Sequence, residues 1–336
     1  MSNRSRSWPS TARPTVALIT PYGADSNNGN WRTASRWARF LRPHYRVRVA
    51  TQWDGRDADL MIALHARRSA ESIAAFAAAH LQRPLIVVLP GTALYRDIKT
   101  DAAAQRSLRL ATRLVVLQDE GRRELPAALA RKTATIYQSA PAQAALPRRR
   151  RTFDVVVLGH LREEKDPGLA MQVARQLPAD SRVRILHIGA ALDAEFGRAA
   201  AATQQSCPHY RWLGAVPHAA ARRWLRRAPL LLHPSRMEGG AQAVLEAIQS
   251  GAAVVASNCA GNVGMLGRGY AGIFPVGNAA AATALIERAA REPAFVRRLQ
   301  RQCRARAARF APARERRVLL RLIDRELRAK KQRAVP

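Results

Sequence analysis

Two charged stretches of the sequence contain residue types that could act on a phosphate ester. RMEGGAQAVLEAIQSG places Glu238 before two glycines and Glu246 eight residues later, within an apolar segment. GHLREEKDP contains Arg162 and Lys165 shortly before Pro167, which favours the first turn of a helix. A guanidinium and an ammonium group beside the first amides of a helix form a good receptor for a diphosphate. The two stretches therefore predict a diphosphate receptor and leave open what the two carboxylates hold.

Each stretch also has an interpretation without function. The charges of REEK neutralise one another, so this segment can equally be a solvated loop. On a helix, Glu246 shares a polar stripe with Gln242 and Gln249, and such stripes usually face solvent. That helix would begin directly after a predicted strand, however, which brings its polar stripe to the edge of a sheet.

Short apolar segments alternate with Ala-, Leu- and Arg-rich segments along the whole chain. Continuous apolar runs linked by helices are typical of buried parallel strands in doubly wound sheets. The predicted strands are TVALIT, YRVRVA, DLMIAL, PLIVVL, RLVVLQ and TATIYQ in the first half, and FDVVVLG, VRILHIG, RWLG, PLLLHP, AAVVAS and AGIFPV in the second. The pattern predicts an α/β fold of two tandem Rossmann-like, doubly wound parallel sheets facing across a cleft, with ligands at the carboxyl ends of the strands.

The stretch SAPAQAALPRRRR separates the two halves. It combines proline, alanine and a block of like charges, which are typical of a linker. The predicted organisation is a disordered lead at 1–14, an N-terminal Rossmann-like domain at 15–140, a linker at 141–151, a C-terminal Rossmann-like domain at 152–310, and a basic C-terminal helix and tail at 311–336.

The chain of 336 residues carries a formal net charge of +32, which by itself would indicate nucleic-acid binding. Only five of its 56 basic residues are lysine, and the arginines are spread along the chain. Aromatic residues make up 6% and are not interleaved with them, as a base-stacking surface would require. We expect a preference for small anionic substrates and no specific nucleic acid. An arginine-rich nucleic-acid binder stays open as an alternative of a different class.

The compartment is predicted from the cysteines and from hydropathy. Cys207, Cys259 and Cys303 lie far apart without the spacing of a metal site, which suits a reducing compartment. No apolar run approaches the about 18 residues that a membrane span needs. We therefore expect a cytoplasmic protein with no membrane span, no metal and no cofactor.

Four motifs resemble those of the family 4 retaining glycosyltransferases, which have the glycosyltransferase B fold. EGGAQAVLE resembles the family's paired glutamates, and GHLREEKDP is similar to its phosphate loop. SGAAVVASNCAGNVGML is similar to the next strand and glycine loop, and RGYAGIFPVGN to the turn after it. The four motifs occur in the family's order. The resemblance implies a transferase whose donor is a nucleotide sugar bound to the second domain.

The resemblance also implies roles for single residues. Lys165 would hold the diphosphate, and Glu246 would accept hydrogen bonds from the ribose hydroxyls. Glu238, with Gly239 and Gly240, would contact the donor sugar. Backbone amides near the phosphates are implied for Gly261, Asn262 and Gly264.

One departure from the broad family concerns the second phosphate cation. His160 stands where that family has its phosphate-binding arginine, and Arg162 is the candidate replacement because a guanidinium has a long reach. The predicted catalytic residues are Glu238, Lys165 and Arg162.

A narrower resemblance includes the first half of the chain. GHLREEKDP together with NNGNWRTASRWARFLR, WDGRDADLMIALHARRSAESI and PGTALYRDI resembles the selenosugar synthases of selenoneine biosynthesis. This implies UDP-GlcNAc and selenophosphate as substrates, and a functional link to a selenophosphate synthetase and a selenoneine synthase. Pro90 and Ala93 stand where that family tends to have threonine and aspartate, so this chain lacks that acid at position 93.

Selenophosphate is compact and highly anionic, so its pocket should be small and cationic. Loops after three predicted strands of the first half carry cations and small hydrogen-bonding groups. The candidates are Gly29, Asn30, Arg32 and Thr33 in the first loop, His65, Arg67 and Arg68 in the second, and Gly91, Thr92, Tyr95 and Arg96 in the third. They supply five cations if His65 is protonated. A single loop arginine is usually solvated, so the prediction depends on the set converging.

Two other enzyme classes also stay open. One is a family 4 transferase that acts on a lipid or saccharide hydroxyl. The other is a two-domain epimerase, which would release free sugar and UDP without an acceptor.

Overall fold

The computed structural model describes residues 13–23, 29–147 and 151–333. Residues 1–12 of the predicted lead lie outside the described part of the chain. The described residues form two compact units. The first consists of the described residues within Met1–Val116, Leu125–Ile136 and Arg316–Pro336, and the second of those within Leu117–Glu124 and Tyr137–Glu315.

The first unit contains a parallel sheet of six strands in the order β2-β1-β3-β4-β5-β6. The strands are β1 Thr15–Ile19, β2 Arg46–Ala50, β3 Leu60–Leu64, β4 Leu85–Leu89, β5 Arg113–Val116 and β6 Thr133–Thr135. β3 and β4 are apolar and buried along their whole length, as expected for strands covered on both faces. The strand order reverses between β1 and β3, so the loops after these strands lie at a point where ligands usually bind.

The helices of the first unit follow the strands on the chain. They are α1 Gly29–Leu41, α2 Ala70–Ala79, α3 Ile98–Thr100, α4 Ala102–Leu110 and α5 Ala127–Arg131, with a π-helical turn at Ala93–Asp97. α1 buries Trp37 and Leu41 on one face. Asp101 caps the start of α4, and its carboxylate accepts a hydrogen bond from the amide of Ala104 at 2.8 Å.

The second unit contains another parallel sheet of six strands in the order β12-β11-β10-β7-β8-β9. The strands are β7 Phe153–Leu158, β8 Val183–Ile188, β9 Tyr210–Trp212, β10 Leu230–His233, β11 Ala253–Ser257 and β12 Ile273–Phe274. The order reverses between β7 and β10, which pair with Leu230 opposite Val155. The two sheets confirm the predicted α/β fold with two Rossmann-like units.

The second unit also contains most of the helices after the first sheet. They are α6 Pro167–Gln176, α7 Ala194–Ser206, α8 His218–Arg227, α9 Gln242–Gln249, α10 Ala260–Leu266, α11 Ala279–Arg291 and α12 Pro293–Ala307, with 3-10 turns at Asp119–Glu124, Glu163–Lys165 and Ala308–Phe310. The last helix, α13 Pro312–Arg333, begins in the second unit and belongs to the first from Arg316. Among the described residues, none of the helices combines the length and apolar character that crossing a membrane requires.

The units divide the chain at other places than the predicted domain boundaries. Leu117–Glu124 follows β5 but clusters with the second unit. α13 returns to the first unit, where Tyr45 Oη donates to Asp324 at 2.5 Å. Membership of a unit depends on tertiary contacts, which composition does not reveal.

The segment predicted as a linker is packed on the second unit where it is described. The amide of Gln143 donates to the carbonyl of Gln249, and that of Leu146 to the carbonyl of Arg226, both at 2.8 Å. Residues 148–150 lie outside the described part of the chain. The described residues 141–147 of this segment contain no helix or strand, and their backbone hydrogen bonds attach them to the second unit.

Candidate active site

The carboxyl ends of β7, β10 and β11 carry the predicted donor-site residues of the second unit. β7 and β10 are neighbours at the point where the strand order reverses. The loops that follow such a pair run to opposite faces of the sheet and leave a crevice for a ligand. Lys165 follows β7, and Glu238 follows β10.

The chain folds back after β7 and brings Lys165 over the end of that strand. A Cβ atom on Gly159 would lie 3.5 Å from Cγ and Cδ of Lys165, so the aliphatic part of the lysine packs on this glycine. Asp166 then adopts the left-handed conformation with φ 47°, and α6 begins at Pro167. The ammonium group of Lys165 donates a hydrogen bond to Oε1 of Glu238. The loops after β7 and β10 are thus joined by an ion pair.

Glu238 is a buried carboxylate with two partners. Besides Lys165, the ring of His233 lies with Nε2 2.9 Å from Oε1 of Glu238. Burial raises the pKa of Glu238, but the ammonium of Lys165 and the ring of His233 outweigh burial and hold this pKa well below its usual range. Glu238 is therefore an anion at neutral pH.

Sequence reasoning missed His233. It is the last residue of β10, it is buried, and Ser235 Oγ lies 3.3 Å from its Nε2. The available signal was a polar ring at the carboxyl end of the otherwise apolar run PLLLHP, at the edge where ligands bind.

Glu246 is buried to 1% exposure on α9, so the interpretation as a solvated polar stripe is wrong for this residue. Its Oε1 accepts a hydrogen bond from Nε2 of Gln242 at 2.8 Å and lies 2.8 Å from Nε2 of His218. Burial raises the pKa of Glu246, but the contacts with His218 and Gln242 hold it below its usual value. His218 is the first residue of α8 and was not predicted as a site residue.

The predicted glycine loop is a helix. Gly261 and Asn262 lie in the first turn of α10, and Gly264 lies further along it. The amide of Gly264 is therefore used inside the helix and does not offer the predicted hydrogen bond to a phosphate. A Cβ atom on Gly264 would lie 1.8 Å from Oε1 of Gln118, and one on Gly261 would lie 1.9 Å from the carbonyl oxygen of Glu238. Close packing explains both glycines.

Gly240 and Asn262 also have packing roles. A Cβ atom on Gly240 would lie 2.9 Å from both Leu117 Cβ and Gln138 Oε1. The side chain of Asn262 is fully buried and donates to Oγ of Ser257 at 3.0 Å, which ties α10 to the end of β11. Gly239 is buried beside Gly240. The glycine pair after Glu238 therefore belongs to a packed turn.

His160 and Arg162 lie in the same loop as Lys165 but make different contacts. The amide of Ala190 donates to Nδ1 of His160 at 3.0 Å, which joins the loops after β7 and β8. Nε of Arg162 lies 3.7 Å from Glu164, and its side chain is 43% exposed. The structure thus brings Lys165 and Glu238 together, and it places Glu246 in a second contact group with His218.

The first predicted loop of the N-terminal half is helical where it is described. Gly29, Asn30, Arg32 and Thr33 all lie in α1. Thr33 is buried, and its hydroxyl donates to the carbonyl of Gly29 at 2.8 Å, so this donor serves the helix. Residues 24–28 lie outside the described part of the chain.

His65 follows β3 and is buried with a positive φ of 81°. A residue with a side chain in this region costs about 1–3 kcal/mol, which surrounding contacts must offset. The amide of Arg68 donates to Nδ1 at 3.3 Å, and Nε2 lies 3.2 Å from Oγ1 of Thr92. Burial lowers the pKa of His65 to about 4, aided by Arg67, Arg68 and Arg96 and opposed by Asp97. The ring is neutral at neutral pH, so the arrangement of five cations is not formed.

Two of the predicted arginines converge on an acid that sequence reasoning missed. Asp97 ends the π-helical turn Ala93–Asp97 and is 5% exposed. Nε of Arg67 lies 3.3 Å from Oδ2 of Asp97, and Nε of Arg96 lies 3.5 Å from Oδ1. The signal was present in GTALYRD, where an acid directly follows the predicted arginine.

The remaining predicted residues of this pocket lie around that group. The guanidinium of Arg68 lies 5.1 Å from the centre of the Tyr22 ring, Gly91 lies in the helical turn before Ala93, and Tyr95 packs against the apolar core of the first unit. Ala93, which stands where selenosugar synthases tend to have an aspartate, is fully buried. The carboxylate of this turn is instead supplied by Asp97. Among the described residues, no group of three or more His, Cys, Asp and Glu side chains could hold a metal ion.

Several solved structures have the same fold as this chain. Anabaena HepE in complex with UDP has a TM-score of 0.76 at 15% identity, covering 93% of this chain and 99% of that chain. Sucrose-phosphate synthase from Thermosynechococcus elongatus has a TM-score of 0.76 at 15% identity, covering 94% and 100%. A UDP-forming α,α-trehalose-phosphate synthase from Burkholderia vietnamiensis has a TM-score of 0.66 at 12% identity, covering 82% and 73%. At these identities the likeness shows the fold.

No curated protein matches the chain significantly in sequence. The family profile described as "Glycosyl transferases group 1" matches residues 141–309, which is half of the chain. The matched span includes the whole second sheet with Lys165, Glu238 and Glu246. The chain therefore belongs to the family of glycosyl transferases group 1.

Proposed function

We propose that the protein is a selenosugar synthase whose donor is UDP-GlcNAc and whose acceptor is selenophosphate. The selenium atom attacks the anomeric carbon, the carbon–selenium bond forms, and the bond to the diphosphate oxygen breaks. UDP leaves with that electron pair. Water then takes the phosphoryl group from selenium, which leaves phosphate and a 1-seleno-sugar. The substrate would come from a selenophosphate synthetase, and the product would pass to a selenoneine synthase.

The position of Lys165 is the observation that best supports UDP-GlcNAc as the donor. Its ammonium group lies at the carboxyl end of β7, where the strand order of the second sheet reverses, and it pairs with Glu238. A diphosphate arriving there would compete with Glu238 for the ammonium and release the carboxylate to accept a sugar hydroxyl. When UDP leaves, charge develops on its phosphate oxygens, and a positioned cation stabilises that charge. Anabaena HepE, which shares the fold, binds UDP in its solved structure.

Glu246 supports a nucleoside next to this diphosphate site. A buried carboxylate that stays ionised is a strong acceptor for hydroxyl groups. Both of its contacts, with Gln242 and His218, use Oε1. We therefore place the ribose hydroxyls on Oε2. Arg162 is half exposed and is our candidate for the second phosphate cation.

Two arginines of the first unit support selenophosphate as the acceptor. Arg67 and Arg96 are 42% and 51% exposed and both contact the buried Asp97, so two guanidinium groups are held near one point of the surface. Paired guanidinium groups suit a small tetrahedral anion, since each can donate two parallel hydrogen bonds. These arginines lie within stretches of the first half that resemble selenosugar synthases.

We also propose that the protein works in the cytoplasm. Cys207, Cys259 and Cys303 are all free and buried, which fits a reducing compartment.

A mass measurement tests the proposed function. Purified protein incubated with UDP-GlcNAc and selenophosphate should give a hexosamine product with the isotope envelope of one selenium atom, together with one UDP per product. Thiophosphate in place of selenophosphate reports the selectivity between sulfur and selenium. Release of UDP and free sugar without any acceptor would instead indicate an epimerase-type reaction.

A second candidate is transfer to a lipid or saccharide hydroxyl. It is favoured by solved structures of the same fold that are named sucrose-phosphate synthase and α,α-trehalose-phosphate synthase. Asp97 also favours it, because a buried carboxylate reduces the positive charge of the first-unit group. The same assay separates the two candidates. Turnover with a saccharide or lipid acceptor and none with selenophosphate would select the hydroxyl acceptor.

His218 should control affinity for the donor without changing the chemical step. In His218→Ala, Glu246 loses a partner at 2.8 Å, and a hydrogen bond to a charged group contributes about 1.5–3 kcal/mol. We expect the KM for UDP-GlcNAc to rise by about tenfold while kcat stays within about twofold. His218→Gln, which retains a donor, should recover most of the affinity. An equal rise in the KM of the acceptor, or a fall in kcat alone, would contradict this role.

A further inference from the structure

The first unit contains a buried carboxylate to which the proposed reaction assigns no role. We infer that Asp97 is a positioning residue of the acceptor pocket, where it holds the guanidinium groups of Arg67 and Arg96 so that they grip one compact oxyanion. The inference rests on the acceptor half of the proposed function and specifies how that half is built.

The hydrogen-bonding capacity of the Asp97 carboxylate is only partly used by its surroundings, which is unusual for a residue with a purely structural role. Its side chain is 5% exposed, and Oδ2 has no hydrogen-bond partner among the residues that the structure describes. Its compensation is electrostatic, from the guanidinium groups of Arg67 at 3.3 Å and Arg96 at 3.5 Å. A buried acid with incomplete hydrogen bonding is poor for stability, since desolvation opposes it. Its presence under two surface arginines therefore points to a role in arranging them.

The geometry of the contacts suits that role. Each carboxylate oxygen faces a different arginine, Oδ2 facing Arg67 and Oδ1 facing Arg96. Both contacts are made through Nε, the guanidinium nitrogen nearest the main chain. These pairs use Nε, whereas forked binding of an oxyanion uses the terminal nitrogens of a guanidinium. Asp97 thus contacts the Nε atoms of both arginines, whose side chains are 42% and 51% exposed.

The loops that carry these arginines are themselves constrained. His65 has a positive φ, and its ring contacts the amide of Arg68 and the hydroxyl of Thr92. The contact with Thr92 links the end of β3 to the turn that follows β4. Asp97 terminates a π-helical turn, a rare conformation that is often found at functional sites. Arg67 lies in the segment after β3, and Arg96 lies in the segment after β4. Because β3 and β4 pair side by side, the two arginines contact Asp97 from neighbouring segments. The alignment of the two arginines is thus built into the sheet.

Positioning and charge predict opposite effects, which makes the inference testable. If Asp97 contributed only its negative charge, then removing that charge would strengthen binding of an anion. If Asp97 aligns the arginines, removing the charge releases them and weakens binding. Asp97→Asn keeps the shape of the side chain, removes its charge and replaces one acceptor oxygen by an NH2 donor.

The experiment measures binding of thiophosphate, a stable analogue of selenophosphate, by titration calorimetry. We expect Asp97→Asn to weaken binding of thiophosphate by at least about fivefold and to leave binding of UDP unchanged, which a general loss of structure would not do. In turnover, the KM for selenophosphate should rise while the KM for UDP-GlcNAc is constant. Unchanged or tighter binding of thiophosphate by Asp97→Asn overturns the inference, as does the absence of thiophosphate binding by the unmodified protein.

Two further variants complete the test. Asp54→Asn removes an acid of the first unit that is half exposed and pairs with Arg56, so it controls for a general change in charge. It should leave thiophosphate binding unchanged. If Asp97→Asn does not fold, Arg67→Lys keeps the charge and loses the fork. Arg67→Lys should also bind thiophosphate at least about fivefold more weakly, and wild-type binding by this variant overturns the inference.

The outcomes separate this inference from the proposed function. Binding of thiophosphate that depends on Asp97, without formation of a seleno-sugar, supports the pocket and rejects the synthase. Formation of the seleno-sugar with an unchanged KM for selenophosphate in Asp97→Asn supports the synthase and rejects the role of Asp97.

Discussion

Replacing Lys165 by alanine should lower kcat by about a hundredfold or more, because its ammonium would face the charge that develops on the leaving diphosphate. The lysine is held at the carboxyl end of β7 by packing on Gly159 and by its pair with Glu238, so it is in place before the substrate arrives. Such a preorganised cation needs no rearrangement during the reaction. The KM for UDP-GlcNAc should also rise, because the same ammonium binds the ground-state diphosphate.

A loss of stability has to be separated from this loss of catalysis. Lys165→Ala leaves Glu238 buried with only His233 as a partner, and breaking a buried ion pair typically costs about 3–5 kcal/mol. The double variant Lys165→Ala/Glu238→Gln removes both charges and should regain much of the free energy of unfolding. If Lys165 acts on the leaving group, the double variant stays inactive although it is folded. Near-normal kcat in the folded double variant would remove Lys165 from the mechanism.

Gly261→Ala should damage the donor site through the backbone. The added methyl group would lie 1.9 Å from the carbonyl oxygen of Glu238, which is main chain and cannot move aside as a flexible side chain would. α10 and the turn that carries Glu238 must therefore separate. We expect a loss of about 2–3 kcal/mol in the free energy of unfolding, as for other overpacked sites, and a fall in kcat/KM because Glu238 leaves its contact with Lys165.

Denaturant unfolding and steady-state kinetics measure the two effects of Gly261→Ala. Gly269→Ala is the matched control, because no atom lies within 4 Å of the position that its Cβ would occupy. The control should change the free energy of unfolding by less than about 0.5 kcal/mol. Equal behaviour of the two variants would show that the close approach of Gly261 to Glu238 is not needed.

The sequence was sufficient to predict the sheets and to place Lys165 and Glu238 after neighbouring strands of the second sheet. Strands such as LMIAL and LIVVL are apolar throughout, and this pattern is local, so it can be read without tertiary information. Lys165 and Glu238 were found because each follows a strand in the chain, and parallel strands bring such residues to one edge. The contact of Lys165 with Glu238 in the absence of a ligand was not predicted, because it depends on how two loops fold back.

The partners that were missed share a physical reason. Asp97, His233 and His218 each act through a contact with a residue far away in the chain or with an element whose orientation the sequence does not specify. A histidine at the start of a helix or at the end of a strand is ordinary until its neighbour is known. The charge of His65 was uncertain for the same reason, since the degree of burial determines its pKa.

The glycine residues of α10 differ from what the resemblance implied. The resemblance implied a glycine loop there, and Gly261 and Gly264 also disfavour a helix by about 1 kcal/mol each. The structure forms a helix, and the space beside the two positions is filled by Glu238 and Gln118, so that only glycine allows this approach. Tertiary packing, which the local sequence does not reveal, explains the two glycines.

The return of α13 to the first unit affects the order in which the protein can mature during synthesis. β1–β6 are translated before the second unit, but Arg113 of β5 pairs at 2.5 Å with Glu326, which is translated after it. The first unit can therefore complete its packing only after the whole second unit has been translated. A truncation of the chain before Arg316 would remove contacts from the first unit and would leave the residues of the second sheet in place.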